Sequence, residues 1–433
     1  MRLLDLRSTV LTSDVVNAAV PRAELDIVKA VDQISPLLED VRNRGEDALV
    51  EVAKKFDGFD PRPFLVSQQE LDAAEQSLTA DLRSAIEEGI ARVRKVSEAN
   101  LPETTTVEVA SGAKVSQRWQ PVDSVGLYVP GGKAVYPSSV IMNVVPAQVA
   151  GVPRMVIATP GQAEFSGRPH PTVLATAKIL GITEVYAIGG PAAVAAFAFG
   201  VRSLDLLPVS LVTGPGNIFV AAAKRALRGR IGIDSEAGTT EILVLADRTA
   251  DARLIAFDLV SQAEHDEAAA AVLVTDSPQL AEDVLKALES VVAGTMNSSR
   301  VKTALEGVQS AIVLVDDLSA SVAFANAYAT EHLEIHTANP TQVAAQISNA
   351  GAIFLGKYSP VSLGDYVAGS NHVLPTGQQA KFGAGLGVHT FLRAQQLIDY
   401  DKAGLADVAA QVQVFAAAEG LPAHGDAVAA RFN

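Results

Sequence analysis

Histidines and carboxylates carry the chemistry open to this chain. It has seven histidines and no cysteine, so disulfides, thiolate metal sites and a thiol nucleophile are excluded. Gln262 and His265 lie three residues apart near the end of a predicted helix, so they share a face. Two ligands on one helix face can begin a metal site. The plainer reading of that spacing is a helix end, where a histidine suits the dipole. Glu331-His332 follows a predicted helix and offers two proton acceptors of different basicity at one place. Neighbours on a strand point to opposite faces, so both serve one site only if the backbone turns there.

Asp365 and His372 fall in what reads as a long polar loop, Gly364-Asp365-Tyr366 and Ser370-Asn371-His372-Val373-Leu374-Pro375, within an apolar neighbourhood. They suit a metal ligand and the residue that orients it, or simply loop hydrogen bonding. Glu419 and His424 lie in a small tail where exposure is the default. His170, His336 and His389 have no evident company and are assigned no role.

Three glycine turns stand at predicted strand-to-helix junctions: Pro130-Gly131-Gly132, Gly189-Gly190 and Gly214-Pro215-Gly216-Asn217. Such turns let backbone amides and a helix N-terminus face a phosphate. None is the GxGxxG fingerprint, and each alone is a tight connection. Together they suit a nucleotide-type ligand.

The elements that must position these residues alternate. Leu25 to Asn100 reads as helices, and Val107 to Trp119 as a hairpin. Ser124 to Leu227 then repeats strand, loop and helix. A second alternating stretch runs from Glu241 to Leu355, with its later strands at Glu334 to Thr337 and Ala352 to Leu355. This pattern predicts parallel sheets with right-handed crossovers. After Leu374 it weakens, and Ala403 to Arg431 reads as two short helices with little core of their own. Such a tail needs a docking partner, for which a second subunit is a candidate.

Composition agrees. The 433 residues suffice for two or three cores, and 48% are apolar with few aromatics, which favours α/β layers. A net charge of −15 with no basic stripe argues against nucleic acid. Asp5, Arg7 and Asp14 break any signal-peptide core, and every membrane-length apolar stretch is interrupted. The expected location is the cytoplasm.

In order along the chain, Leu127-Tyr128-Val129-Pro130-Gly131-Gly132, Gly214-Pro215-Gly216-Asn217, Ser261-Gln262-Ala263-Glu264-His265, Thr330-Glu331-His332-Leu333, Gly364-Asp365-Tyr366, Ser370 to Pro375 and Glu419-Gly420-Leu421-Pro422-Ala423-His424 resemble the signatures of the histidinol dehydrogenase family. The resemblance implies two incomplete Rossmann-like parallel-sheet domains with small helical extensions at both ends. The implied divisions are 1–26 (N-terminal extension), 27–127 with 238–385 (the larger domain, carrying zinc and catalytic residues), 128–237 (NAD-binding) and 386–433 (the C-terminal part docking on a partner).

It further implies oxidation of L-histidinol through L-histidinal to L-histidine with two NAD+, the last step of histidine biosynthesis. One Zn2+ per subunit would be held by Gln262, His265, Asp365 and His424, the last from the other subunit of a homodimer. By the same resemblance Glu331 and His332 are the catalytic pair, with histidine as base and glutamate as activator of water. Thr240, Gln262, His265, His332, Asp365, Glu419 and His424 contact substrate, and Tyr128 and Asn217 contact NAD. Relatives carry a serine where this chain has Thr240, which keeps the hydroxyl. Several carry a glutamine at the position of Ala192, so that NAD contact is absent here. Lacking cysteine, the chain cannot form a thiohemiacetal, and a hydrated aldehyde is the natural route. Two rivals differ by feature. A paralogue oxidising another small alcohol, such as a sulfonated diol, would lose the groups that read amine and imidazole. A silent zinc-binding protein could lose the Glu-His pair. This chain keeps both.

Overall fold

The computed structural model describes residues 1–23, 27–131, 135–236 and 238–432; Leu25 and Gly132, named above, lie outside them. Its strands in chain order are β1 (Arg2–Asp5), β2 (Thr105–Ala110), β3 (Ala113–Pro121), β4 (Val125–Tyr128), β5 (Met155–Thr159), β6 (Glu184–Ala187), β7 (Leu211–Thr213), β8 (Gly232–Ile233), β9 (Glu241–Ala246), β10 (Ala270–Thr275), β11 (Ala311–Leu314), β12 (His332–His336), β13 (Ala352–Leu355) and β14 (Leu392–Tyr400).

They form two parallel sheets, of order β6-β5-β4-β7-β8 and β1-β11-β10-β9-β12-β13, and a small antiparallel sheet, β14-β3-β2. Each parallel sheet reverses its winding once, between β4 and β7 and between β9 and β12. Both are doubly wound α/β layers, as expected.

The inner strands β4, β10 and β11 are buried and apolar on both faces because helices cover both faces. Along β9, Ile242, Val244 and Ala246 enter one core while Leu243 and Leu245 enter the core on the other side. Local sequence sets the helix starts. Asn217 caps Ile218–Leu227, Asp251 caps Ala252–Ala263, and Asp317 caps Leu318–Tyr328, each through its side-chain oxygen.

Several details differ from the sequence expectation. The helices of 27–99 were expected beside the segment 238–385. By packing they belong with the five-stranded sheet: Ile27–Arg44 lies on Gly190–Phe199 and Ile218–Leu227, Gln68–Gln76 on Pro171–Ile179, and Ala80–Ala99 on Pro137–Val149. Amphipathic periodicity shows that a face is buried, not which sheet buries it. The terminal extensions are not wholly helical. β1 is the edge strand of the six-stranded sheet, and β14 pairs with β3 along its length. Gly364 to Tyr366 ends a short helix, Val361–Tyr366, rather than lying in a loop. β12 opens at His332, two residues before the strand expected at Glu334. The first tail helix is long, Lys402–Ala418.

Candidate functional site

Thr240, Gln262, Glu331 and His332 gather at the amino ends of β9 and β12, adjacent parallel strands in which His332 is level with Ile242. Thr240 precedes β9 and Glu331 precedes β12, so both lie on the same rim. The required backbone turn is present. Ala329 closes the preceding helix in the left-handed region, with φ of 51°, and Glu331 lies outside the strand that His332 begins. Gly351 crosses this rim so closely that a Cβ there would come within 2.6 Å of the Glu331 carbonyl oxygen.

Three side chains form a hydrogen-bonded row. Gln262 Nε2 donates to Thr240 Oγ1 at 2.6 Å, and Thr240 Oγ1 donates to Glu331 Oε2 at 2.6 Å. The same carboxylate oxygen accepts from the Glu241 backbone N–H at 2.9 Å. Gln262 Oε1 is left buried without a hydrogen-bond partner among the described residues.

His332 Nδ1 lies 3.4 Å from Glu331 Oε2 and 3.2 Å from the Glu241 carbonyl oxygen. A carbonyl only accepts, so we assign the proton to Nδ1, which leaves the lone pair on Nε2. Burial holds the His332 imidazole below its ordinary pKa, against the pull of Asp365 and the Glu241 carbonyl. Burial raises the Glu331 carboxyl well above the usual carboxylate range, although the Thr240 hydroxyl and Glu241 N–H favour its ionised form. The neutral imidazole and the carboxyl are thereby brought closer in basicity.

Asp365 and His372 stand on the same rim. His372 Nδ1 donates to the Asp365 backbone carbonyl at 3.0 Å, and its Nε2 faces Ser139 Oγ at 3.2 Å. His372 therefore fixes Asp365 through the main chain, leaving the carboxylate free of it. The Asp365 charge acts on Glu331, His332 and His372, and the His265 charge acts on His372. His265 itself is exposed, just past the helix that carries Gln262.

Glu419 and His424 are exposed on the tail, whose helices Lys402–Ala418 and Pro422–Ala429 pack on each other, the first also against β14. Among the described residues no hydrogen bond or ion pair joins them to the rim. Tyr128 and Asn217 lie at the carboxyl ends of β4 and β7, where the five-stranded sheet reverses. Tyr128 is buried, its hydroxyl oxygen accepting from Gly190 N–H at 3.0 Å, and burial pushes its pKa up to about 12. Asn217 spends its side-chain oxygen on the helix cap, which leaves its amide hydrogens to donate outward. Ala192 is buried in the first turn of Gly190–Phe199. The turn at Gly214, where φ is 116°, is clamped from behind. Lys224 Nζ donates to the Gly214 carbonyl, and Asp234 accepts from both Lys224 and Gly214 N–H.

The comparisons with known proteins span nearly the whole chain. The family model described as histidinol dehydrogenase covers residues 20–432. The chain belongs to the histidinol dehydrogenase family. Histidinol dehydrogenase of Leifsonia xyli subsp. xyli is 55% identical over 433 residues, covering 100% of this chain and 99% of the relative. That of Corynebacterium glutamicum is 54% identical over 433 residues, covering 100% and 98%. The crystal structure of histidinol dehydrogenase from Elizabethkingia anophelis superposes with a TM-score of 0.92 at 31% identity, covering 99% of this chain and 98% of that one.

The histidinol dehydrogenase signatures did not point to Glu241, Arg22 or Ser139. Glu241 is buried, pairs with Arg22 and accepts the Glu331 N–H at 3.2 Å. A carboxylate opening an otherwise apolar strand was the available signal. His336 was assigned no company, yet its imidazole meets Glu334 and Asp258.

Proposed function

We propose that this protein oxidises L-histidinol through L-histidinal to L-histidine, passing two hydrides to two NAD+, with one zinc ion in each active site. The observation that carries this reading is the Gln262–Thr240–Glu331 row. It pins the glutamine by its nitrogen, leaves its oxygen free, and places a buried carboxylate against a neutral imidazole.

An orphaned amide oxygen, an imidazole and a carboxylate are a donor set that suits zinc with open positions. Gln262, His265 and Asp365 would hold it, with His424 supplied by a second copy of the chain. Bound there, zinc would supply a Lewis-acid anchor for the amino alcohol. NAD would be held at the glycine turns of the five-stranded sheet, beside Tyr128 and Asn217 where the strand order reverses, and would supply the acceptor for the substrate's hydride.

The proton work falls to the rim. His332 Nε2 takes the hydroxyl proton as the C–H hydride leaves, giving the aldehyde. Glu331 takes a proton from the water that adds to that aldehyde while protonated His332 returns its proton to the carbonyl oxygen, giving the gem-diol and a neutral imidazole, and Glu331 releases its proton to solvent. His332 then removes the diol proton as the second hydride leaves. Thr240 orients Glu331 and contacts substrate, and Glu419 meets its cationic end. His372 holds Asp365 in place.

The tail supports a homodimer with shared sites working in the cytoplasm. Ile398, Val414 and Phe415 are 71%, 70% and 69% exposed in one chain, on the same C-terminal segment as Glu419 and His424. No described helix is long and apolar enough to cross a membrane.

The test is NADH formed per L-histidinol consumed, with zinc and after chelation. Two NADH per substrate, lost on chelation and restored by zinc, is the expected result. One NADH would mean release of the aldehyde, and none would overturn the reading.

A further inference from the structure

A second polar cluster lies behind the rim and has no part in the chemistry above. Along β12, Leu333 and Ile335 enter one core, so His332, Glu334 and His336 face the other side. The Ala252–Ala263 helix covers that side and presents Asp258 one turn before Gln262. Asp258, Glu334 and His336 therefore meet about 6 Å further along the helix than the Gln262 row.

Their donor atoms converge. His336 Nε2 is 3.3 Å from Glu334 Oε2 and 3.8 Å from Asp258 Oδ2, and one donor atom from each residue lies within 4.8 Å of the other two. Donors held tetrahedrally at zinc-type bond lengths would stand roughly 3.4 Å apart. Glu334 is 0% and His336 5% exposed. Glu334 uses its other oxygen, Oε1, to accept the Val361 N–H at 2.7 Å. The two atoms aimed into the cluster, Glu334 Oε2 and His336 Nε2, are both buried without a hydrogen-bond partner among the described residues. Unpaired buried carboxylates are costly, and a coordinating cation removes that cost while satisfying both orphaned atoms.

We propose that Asp258, Glu334 and His336 form a second divalent-cation site, distinct from the rim, that ties the Ala252–Ala263 helix to β12. Two carboxylates and one imidazole suit a first-row divalent ion such as Zn2+ or Mn2+ better than Ca2+, which takes an all-oxygen shell. Asp258 is the most open of the three and gives the ion its route from solvent. The helix carries Gln262 and the strand carries His332, so the clamp would hold both residues of the rim in register. The inference does not depend on the oxidation proposed above.

The rival is a proton shared between Asp258 and Glu334, with no metal. The experiment uses full-length His265→Ala, which weakens the rim site, stripped with a chelator, reloaded with Zn2+ and dialysed. Metal analysis and anomalous diffraction at the zinc edge are then read together. The expected result is one ion per chain in this variant, with its anomalous peak among Asp258, Glu334 and His336, against two per chain in the unaltered protein. Adding His336→Gln or Glu334→Gln should remove that ion, and with it the zinc-dependent rise in melting temperature. No anomalous peak at the cluster in the folded, zinc-loaded protein would overturn the proposal, whatever the rim holds. A rim without zinc beside an occupied cluster would instead count against the oxidation reading alone.

Discussion

Glu241 and Glu331 hold each other by the backbone. The Glu241 N–H donates to the Glu331 carboxylate at 2.9 Å, and the Glu331 N–H donates to the Glu241 carboxylate at 3.2 Å. The exchange joins the first residue of β9 to the residue before β12. Arg22, stacked 4.0 Å from the centre of the Tyr328 ring, neutralises Glu241 and donates to the Tyr328 carbonyl. A residue from the N-terminal extension thus fixes the carboxylate that sets the position of Glu331.

Removing Glu241 should therefore cost both stability and rate. Glu241→Ala leaves a largely buried guanidinium unpaired, a loss of about 3–5 kcal/mol in unfolding by denaturant. Glu241→Gln, which keeps the shape and an acceptor, should cost less. An alanine variant within about 0.5 kcal/mol of the parent would place Glu241 outside the framework of the rim.

Thr240 is expected to act through its hydroxyl alone. Thr240→Ser should preserve the row, while Thr240→Val should lower kcat/KM roughly 10–100-fold. The valine variant also loses a hydrogen bond that favours ionised Glu331, so any acid limb set by that carboxyl should move to higher pH. A fall in activity with no movement of the limb would assign Thr240 to substrate contact only.

The pH profile follows from the two opposed shifts. Both bases act deprotonated, so activity should rise with pH. Burial lowers His332 below its ordinary 6.5 and raises Glu331 well above its ordinary 4.5. In Glu331→Gln the residual activity should show an acid limb below pH 6.5. In His332→Asn the limb should remain well above 4.5, with turnover down on the order of 10²–10⁴-fold. A limb near 4.5 in His332→Asn would contradict the burial of Glu331. Zinc should stay bound in that variant, as measured by metal content.

Shared sites make a mixing prediction. His265→Ala and His424→Ala chains should each be nearly inactive. Refolded together, they should recover about a quarter of wild-type activity, since half the dimers are mixed and each has one intact site. Ile398→Asp, on the exposed apolar face of β14, should shift the protein toward monomer in sedimentation. Activity in the separate variants equal to that of the mixture would rule out sharing.

Much of the framework was legible in the residues themselves. Apolar runs bounded by turns marked β4 to β7 and β9 to β11 closely, because strand and helix periodicity are local properties. The glycine turns fell at strand ends, and the spacing of Gln262 and His265 and the adjacency of Glu331 and His332 were written in the chain. The site's assembly was not. Arg22 meets Glu241 across 219 residues and Thr240 meets Glu331 across 91. Only the order of parallel strands brings β9 beside β12, and that order follows from crossovers rather than from any short segment. Asp258, Glu334 and His336 were each visible, the last two at strand spacing, but their meeting depends on which face of a helix lands on which face of a sheet. Periodicity says that a face is buried; tertiary packing alone says against what.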